Sequence, residues 1–454
     1  MTKQKLAIFS FVAGTILFIS PLFTHLSAIS TEGEKYLQIL HEINSILESD
    51  FVDSTEDKKL YQGAIKGAIN SLGDPHTRFM DEDEFKSLQE ETRGSFGGVG
   101  LEVVQTDGVL VVVSPIDDTP ASRAGIQPQD RILEINGEST EKLSINDAVK
   151  LMRGAAGTSV SLKIRRKTVK DPFVVSMERE LIRIQFLKSI FLEKEKIGYI
   201  RLTQFMGKET TIKEFQKILV GFKDKKMEGL VVDLRSNPGG LLEMAIILCD
   251  MFLESGKDIL SVKGRGEKLI NVYKASNIVE KYIDLPMVVL LNGGSASASE
   301  IFAGAMQDHK RAKIIGTQSF GKGSVQNIYP LSHKTGIAVT IQKYYTPSGV
   351  SIHKKGITPD ELVSPITPDE EERLVLDKIL KANLIADFIK ENPGYSEANS
   401  KKFQELLVSK NFKLRDELSR FIIKKEYSIG EKQPIIDREF DIQLNRAVEL
   451  LQKK

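Results

Sequence analysis

The sequence predicts a multi-domain α/β protein: a core of alternating strands and helices, a compact β-rich module inserted ahead of it, and helical regions at both ends. Three observations carry this reading. From about 181 to 365, short apolar strand-like runs alternate with runs of 3.6-residue periodicity. From about 92 to 178, β-branched runs are separated by Gly, Pro, Asp and Asn turns. The flanks, 31 to 90 and 366 to 454, are charged and carry amphipathic helical patterns.

Of 454 residues, 41% are hydrophobic and 28% charged, an ordinary globular mix. Lys+Arg is 63 and Asp+Glu 62, so no net field draws the chain to nucleic acid, and no nucleic-acid partner is expected. The single Cys, Cys249, lies in an apolar run and forms no internal disulfide, so the fold rests on packed cores.

Taken in order, residues 1–30 read as an export segment. Lys3 and Lys5 precede an uncharged apolar stretch, Leu6 to Phe23, closed by Pro21 and His25. Leu26 fits a cleavage site after Ala28 poorly, which leaves a cleaved signal peptide and an N-terminal membrane anchor both open. The protein is expected outside the cytoplasm, in the periplasm or an equivalent compartment, free or tethered to the inner membrane through residues 6–23.

Residues 31–91 form an N-terminal helical region. Tyr36, Leu37, Leu40, Ile43 and Leu47 fall on one helical face, as do Leu60, Ala64, Ile65, Ala68 and Ile69, until Gly73-Asp74-Pro75 breaks the pattern. The β-rich module spans 92–178, with strands at Val109–Val113, Arg131–Ile135 and Val160–Ile164 and one helix, Ile145–Met152. In the core, 179–365, strands are expected at Ile197–Ile200, Gly229–Leu234, Met287–Leu291 and Ala312–Ile315, and helices at Thr211–Phe222, Leu241–Leu253 and Ser297–Asp308. Residues 366–454 form a C-terminal helical region that closes on an amphipathic run, Ile442 to Leu451.

Chemistry concentrates in two strand-to-helix turns of the core, Asp233 to Gly240 and Asn292 to Glu300. Small residues let backbone N–H groups approach a ligand, and a helix N-terminus adds unpaired donors and partial positive charge, which suits an oxyanion. Ser295, Ser297 and Ser299 compete as nucleophile, and Ser297 with Glu300 also makes a capping box that a purely structural role explains. The six histidines form no verifiable Ser-His-Asp pattern. A Lys is the alternative base, because burial among apolar groups lowers its pKa. Lys322 stands alone in the otherwise uncharged stretch Ile314 to Ile328. The surrounding Gly316 to Lys322 imitates a nucleotide-binding loop, but Gly323 replaces the Ser or Thr that holds magnesium, and a strand rather than a helix follows. Ser319-x-x-Lys322 imitates a penicillin-binding motif, but glycines flank the Lys and oppose the helical turn that motif needs.

Several motifs in order resemble the carboxy-terminal processing (tail-specific) proteases. They are Gly294-Ser-Ala-Ser297-Ala298-Ser-Glu300, Phe320-Gly-Lys322-Gly-Ser-Val-Gln326, Asp233-Leu-Arg-Ser-Asn-Pro-Gly-Gly240, Tyr345-Thr-Pro-Ser-Gly349 and Gly356-Ile-Thr-Pro-Asp360. The resemblance covers about 92 to 365, with echoes at Ser71 to Thr77 and from Asp441 onward. It implies Ser297 as nucleophile, Lys322 as base, Gln326 as a residue that holds the Lys, and the N–H groups of Gly240 and Ala298 as oxyanion donors. It implies no metal and no cofactor. Ser95 to Val103, Pro120 to Ile126 and Asp130 to Gly137 resemble a PDZ domain, which implies a carboxylate-binding loop at Gly98, Val99, Gly100 and Leu101 and a side-chain pocket lined by Ala148 and Leu151. The implied function is a serine endopeptidase that cuts exported proteins near apolar C-terminal tails, with an adaptor or activator and self-association left open. A PDZ scaffold that binds tails without cutting them is the alternative.

Overall fold

A computed structural model describes residues 31–106, 108–428 and 434–453; the expected export segment lies outside the described residues. The chain divides into two compact units, one up to Phe79 and one from Met80. Among the described residues, no helix is long and apolar enough to cross a membrane.

The first unit contains the helices Thr31–Asp50 and Asp57–Asn70. The Gly-Asp-Pro break is stabilised locally: the Asp74 carboxylate accepts from the His76 N–H at 3.1 Å and the Thr77 hydroxyl at 2.6 Å. His76 thus contributes to a turn.

In the second unit, the helix Glu82–Arg93 starts at a complete capping box between Asp81 and Glu84. The β-rich module follows as an antiparallel sheet ordered Leu101–Thr106, Val109–Pro115, Arg131–Ile135, Ser159–Arg165 and Phe173–Glu178. Alternate residues face its core, so Leu110 and Val112, and Leu162 and Ile164, are buried, while a bulge between Ile132 and Glu134 brings Ile132 and Ile135 to the same core. The helix Ile145–Met152 starts where Ser144 Oγ accepts the Asp147 N–H at 3.2 Å. Ser95–Gly98 pairs antiparallel with Glu180–Arg183, so the chain enters and leaves the module on paired strands.

The core sheet runs Leu187–Leu192, Ile197–Leu202, Gly229–Asp233, Met287–Leu291, Lys313–Gly316 and Glu361–Leu362, parallel after its first pair. Its central strands, Gly229–Asp233 and Met287–Leu291, are buried throughout, as expected of strands covered on both faces. One face packs on the helices Lys208–Asp224, Leu242–Asp250 and Ala298–Asp308; the other is covered by the final helix, Ile442–Gln452, through Leu444, Ala447 and Val448. Burying Leu444 and Val448 contributes about 1.5–3 kcal/mol each. Cys249 is fully buried in the first of these clusters, and burial pushes its thiol pKa up.

A second antiparallel sheet joins Ser324–Pro330, Gly336–Tyr345, Asp258–Lys263 and Leu269–Lys274. Most of it escaped the sequence reading, because Lys263, Lys268, Lys274 and Lys343 break the apolar alternation. The helices Glu370–Lys381, Leu384–Glu391, Glu397–Ser409 and Asp416–Tyr427 enclose a small core of their own around Ile379, Phe388, Phe403, Leu407 and Ile423.

Candidate active site

Two parallel strands bring the chemistry together. Asp233 lies opposite Leu290 in register, so the turns that follow Gly229–Asp233 and Met287–Leu291 emerge side by side at the carboxyl edge of the sheet. Side chain and backbone then join them. Ser295 Oγ donates to Leu234 O at 2.8 Å, and Ser299 Oγ donates to Asn237 O at 2.9 Å. The Ser236 N–H donates to Asn292 Oδ1 at 2.7 Å, and the Ala296 N–H to Asn237 O at 2.9 Å.

These bonds separate the three serines. Ser295 and Ser299 are fully buried and use their hydroxyls as braces. Ser297 instead lines a cavity of about 710 Å³, together with Gly239, Gly240, Lys322, Gln326 and Tyr344. Its backbone has φ 54° and ψ −113°, a strained conformation for a residue with a Cβ, worth about 1–3 kcal/mol. Such strain at a strand-to-helix turn holds a nucleophile forward.

Gly239 and Gly240 are required by contact as well as by conformation. A Cβ on Gly239, at φ 101°, would meet Ser297 Cβ at 2.7 Å and the Ala298 nitrogen at 2.9 Å. One on Gly240, at φ 143°, would meet Phe205 O at 2.2 Å. The two turns therefore touch main chain to main chain. Among the described residues, neither the Gly240 nor the Ala298 N–H reaches a backbone acceptor. Ala298 also opens the helix Ala298–Asp308, where N–H groups are unspent and the dipole is positive.

Glu300 joins the serine turn to the lysine loop. Its carboxylate is fully buried and accepts four donors. Oε2 takes the Ser297 N–H at 2.7 Å and the Lys322 N–H at 2.9 Å; Oε1 takes the Gly321 N–H at 2.6 Å and the Ser319 hydroxyl at 2.6 Å. Ser319 Oγ in turn accepts the Ile357 N–H at 2.6 Å, which fixes it as a donor toward Glu300. Burial pushes the Glu300 carboxyl pKa up, and the four donors offset part of that rise. The carboxylate that bonds the Ser297 N–H in the capping box is thus the same group that ties in the lysine loop.

Lys322 lines the cavity beside Ser297. The Gln326 amide is held by Ser324 Oγ at 2.9 Å on its own strand and by Thr340 Oγ1 at 3.1 Å on the neighbouring strand. Tyr344, buried, lines the same cavity; burial pushes its phenol up to about 12, with the Ser297 hydroxyl offsetting part of that rise, so it stays protonated at neutral pH. The remaining wall is largely apolar: Phe85 and Leu88 from the helix Glu82–Arg93, with Met206, Val325 and Ile328. Among the described residues, no group of three or more His, Cys, Asp or Glu gathers as a metal site.

The groove of the β-rich module is smaller, about 190 Å³. Gly98, Val99, Gly100 and Leu101 line it as expected, with Phe96, Val103, Val149, Met152 and Arg153. On the helix side the groove is lined by Val149 and Met152; Ala148, like Met152, is buried in the module's core, and Leu151, like Val149, packs against that core. The Arg153 guanidinium stacks 4.5 Å above the Phe96 ring and pairs with Glu90 at 3.3 Å.

Sequence reasoning missed two contributors. Glu300 was visible only as a capping partner, and Tyr344 adjoins the recognised Tyr345-Thr-Pro segment without belonging to it.

Comparison with known proteins adds the following. Peptidase family S41 matches residues 196–363, a PDZ domain 111–166, and the activating protease CtpB N-terminal domain 24–84. A carboxy-terminal-processing protease of Bartonella bacilliformis is 42% identical over 368 residues, 79% of this chain and 83% of that protein. The carboxy-terminal processing protease CtpA of Bacillus subtilis is 34% identical over the full length of both chains, 100% of each. Among solved structures, the photosystem II D1 C-terminal processing protease is 27% identical, with 74% of this chain and 94% of that chain covered and a TM-score of 0.45.

Proposed function

The chain belongs to the carboxy-terminal processing proteases of peptidase family S41 and is a serine peptidase with a PDZ domain; from that premise we propose that it recognises protein C-termini and cuts nearby with a Ser297–Lys322 dyad. The observation that carries the proposal is the shared cavity. Ser297 and Lys322 line it together, and one buried carboxylate bonds the backbone N–H of each.

In the proposed cycle, neutral Lys322 takes the Ser297 proton as Oγ attacks a peptide carbonyl carbon. The developing oxyanion is held by the Gly240 and Ala298 N–H groups. Tyr344, protonated, lines the cavity with Ser297 and leaves Lys322 as the base. The Lys322 ammonium then gives its proton to the departing nitrogen as the C–N bond breaks, leaving a serine ester. Water attacks that ester as Lys322 takes its proton, the bond from the acyl carbon to Oγ breaks, and Lys322 returns the proton to Oγ, releasing the cut peptide's new carboxyl group and restoring Ser297. The substrate's terminal carboxylate is held by backbone N–H groups near Gly98 to Leu101, and its last side chain lies against Val149 and Met152. The Lys3 to Phe23 pattern supports action outside the cytoplasm.

The test is cleavage of an unstructured protein ending in a short apolar tail, with products identified by mass, by the full chain and its Ser297→Ala variant. Cutting near the tail by the wild type alone, weakened when the terminal carboxylate is amidated, is expected. Cutting by both proteins removes Ser297 from the mechanism, and indifference to amidation removes recognition of the terminus.

A further inference from the structure

We infer that Asp441, at the start of the last helix, is a positioning residue for the catalytic turns and acts through Arg235; the inference rests on the protease reading above. Arg235 lies between Leu234 and Ser236, the two residues that bond the serine turn through Leu234 O and the Ser236 N–H. What fixes Arg235 therefore fixes that turn.

The guanidinium is held from two sides. Asp233 accepts from Nε at 3.0 Å to each oxygen and from Nη2 at 2.6 Å. Asp441 accepts from Nη1 and Nη2, each at 2.7 Å, and Gln443 Oε1 accepts from Nη1 at 3.0 Å. A bidentate pair of this kind sets the plane of the guanidinium, not only its charge balance. The Asp233 side is already occupied: its carboxylate also accepts the Tyr199 hydroxyl at 2.7 Å and the Arg235 N–H at 2.9 Å. Asp441 supplies the second wall, from 206 residues further along the chain.

That wall is rigid for reasons on its own side. Asp441 Oδ1 accepts the Leu444 N–H at 3.0 Å and so caps the helix Ile442–Gln452, while Gln443 Nε2 donates to Val363 O at 2.6 Å. The helix is anchored elsewhere too, since Arg446 pairs with Glu361. Asp441 is thus not needed to keep the helix in place. Without its charge, Arg235 has room to swing into the adjoining space of about 220 Å³ lined by Phe421 and Phe440, and Leu234 and Ser236 move with it. Oxyanion donors and nucleophile tolerate such displacement poorly.

The test compares the full chain with Asp441→Asn, Arg446→Ala and Ser297→Ala, using steady-state cleavage of a peptide and labelling of the active serine by a fluorophosphonate. Asn keeps the helix cap but not the charge. Asp441→Asn is expected to lower kcat and the labelling rate about 10- to 100-fold with KM within about twofold. Arg446→Ala, which loosens the same helix, is expected to leave both rates near wild type. Wild-type kcat in Asp441→Asn, or an equal loss in Arg446→Ala, overturns the inference. If Asp441→Asn is not recovered folded, Gln443→Leu decides: a loss in kcat of about threefold or more at constant KM supports the inference, and wild-type kcat overturns it. Turnover or labelling that survives in Ser297→Ala overturns the protease reading instead, and the inference with it.

Discussion

The cavity that holds Ser297 and the groove of the PDZ domain are both built from glycine-rich turns, yet they are braced to different degrees. Around Ser297, two turns are joined by five hydrogen bonds, two glycines pack against the facing main chain, and one buried carboxylate reaches across to the lysine loop. The groove is smaller, and its helix wall presents Val149, Met152 and an Arg153 held by a ring and a single carboxylate. Under the proposed function the contrast follows from two tasks. Bond breaking needs donors placed to a fraction of an ångström, whereas holding a tail needs complementary area and a few backbone bonds.

The largest break in this comparison should come from Lys322→Arg. Arg keeps the charge but does not deprotonate in a protein, so kcat is expected to fall by about 10²–10⁴ or more while PDZ-dependent binding of a tail peptide is unchanged. Steady-state kinetics beside peptide titration would separate the two.

Glu300→Gln should come next. An amide replaces one acceptor oxygen with an NH₂ group that opposes two donors. A loss of about 100-fold in kcat is expected, with destabilisation of about 1–3 kcal/mol measured by denaturant unfolding. A variant with full activity would show that the carboxylate brace is dispensable and the contrast with the groove overstated.

A change in the groove should act on capture alone. Val149→Asp is expected to raise KM about tenfold for substrates with apolar tails, to leave kcat intact, and to leave a short tail-less ester unaffected. A fall in kcat on that ester would show that the groove and the cavity share their bracing.

The smallest effect is expected far from both sites. Glu372 is held by Arg415 through bonds of 2.8 and 2.9 Å, and that pairing lowers its carboxyl pKa to about 2. A depressed folded pKa gives stability that is present above the ordinary carboxylate range and lost as pH falls toward about 2. Glu372→Gln should therefore lower the melting temperature at neutral pH, with the difference shrinking over that acid range. Thermal scans across pH would check it.

Much of the fold was legible because local chemistry dictated it. The strand Met287–Leu291 and the helix Ile145–Met152 run as read, since an unbroken apolar run and an amphipathic turn pattern each specify one outcome. The serine turn was legible as a motif, but not the bonds that complete it. Glu300 reaches Lys322 across 22 residues and Arg235 reaches Asp441 across 206, and nothing local encodes either contact. The groove-lining positions of the helix Ile145–Met152 are hard to read for a similar reason: a short helix with apolar residues on two faces does not announce which face meets its own core.

The most direct test of the Ser297–Lys322 dyad is site-mapped labelling by a fluorophosphonate, in the wild type and in Lys322→Arg, with the modified residue located by peptide mass. The dyad predicts a label on Ser297 in the wild type and a rate at least about 100-fold lower in Lys322→Arg. A label on another serine, or labelling of Lys322→Arg at the wild-type rate, would contradict it.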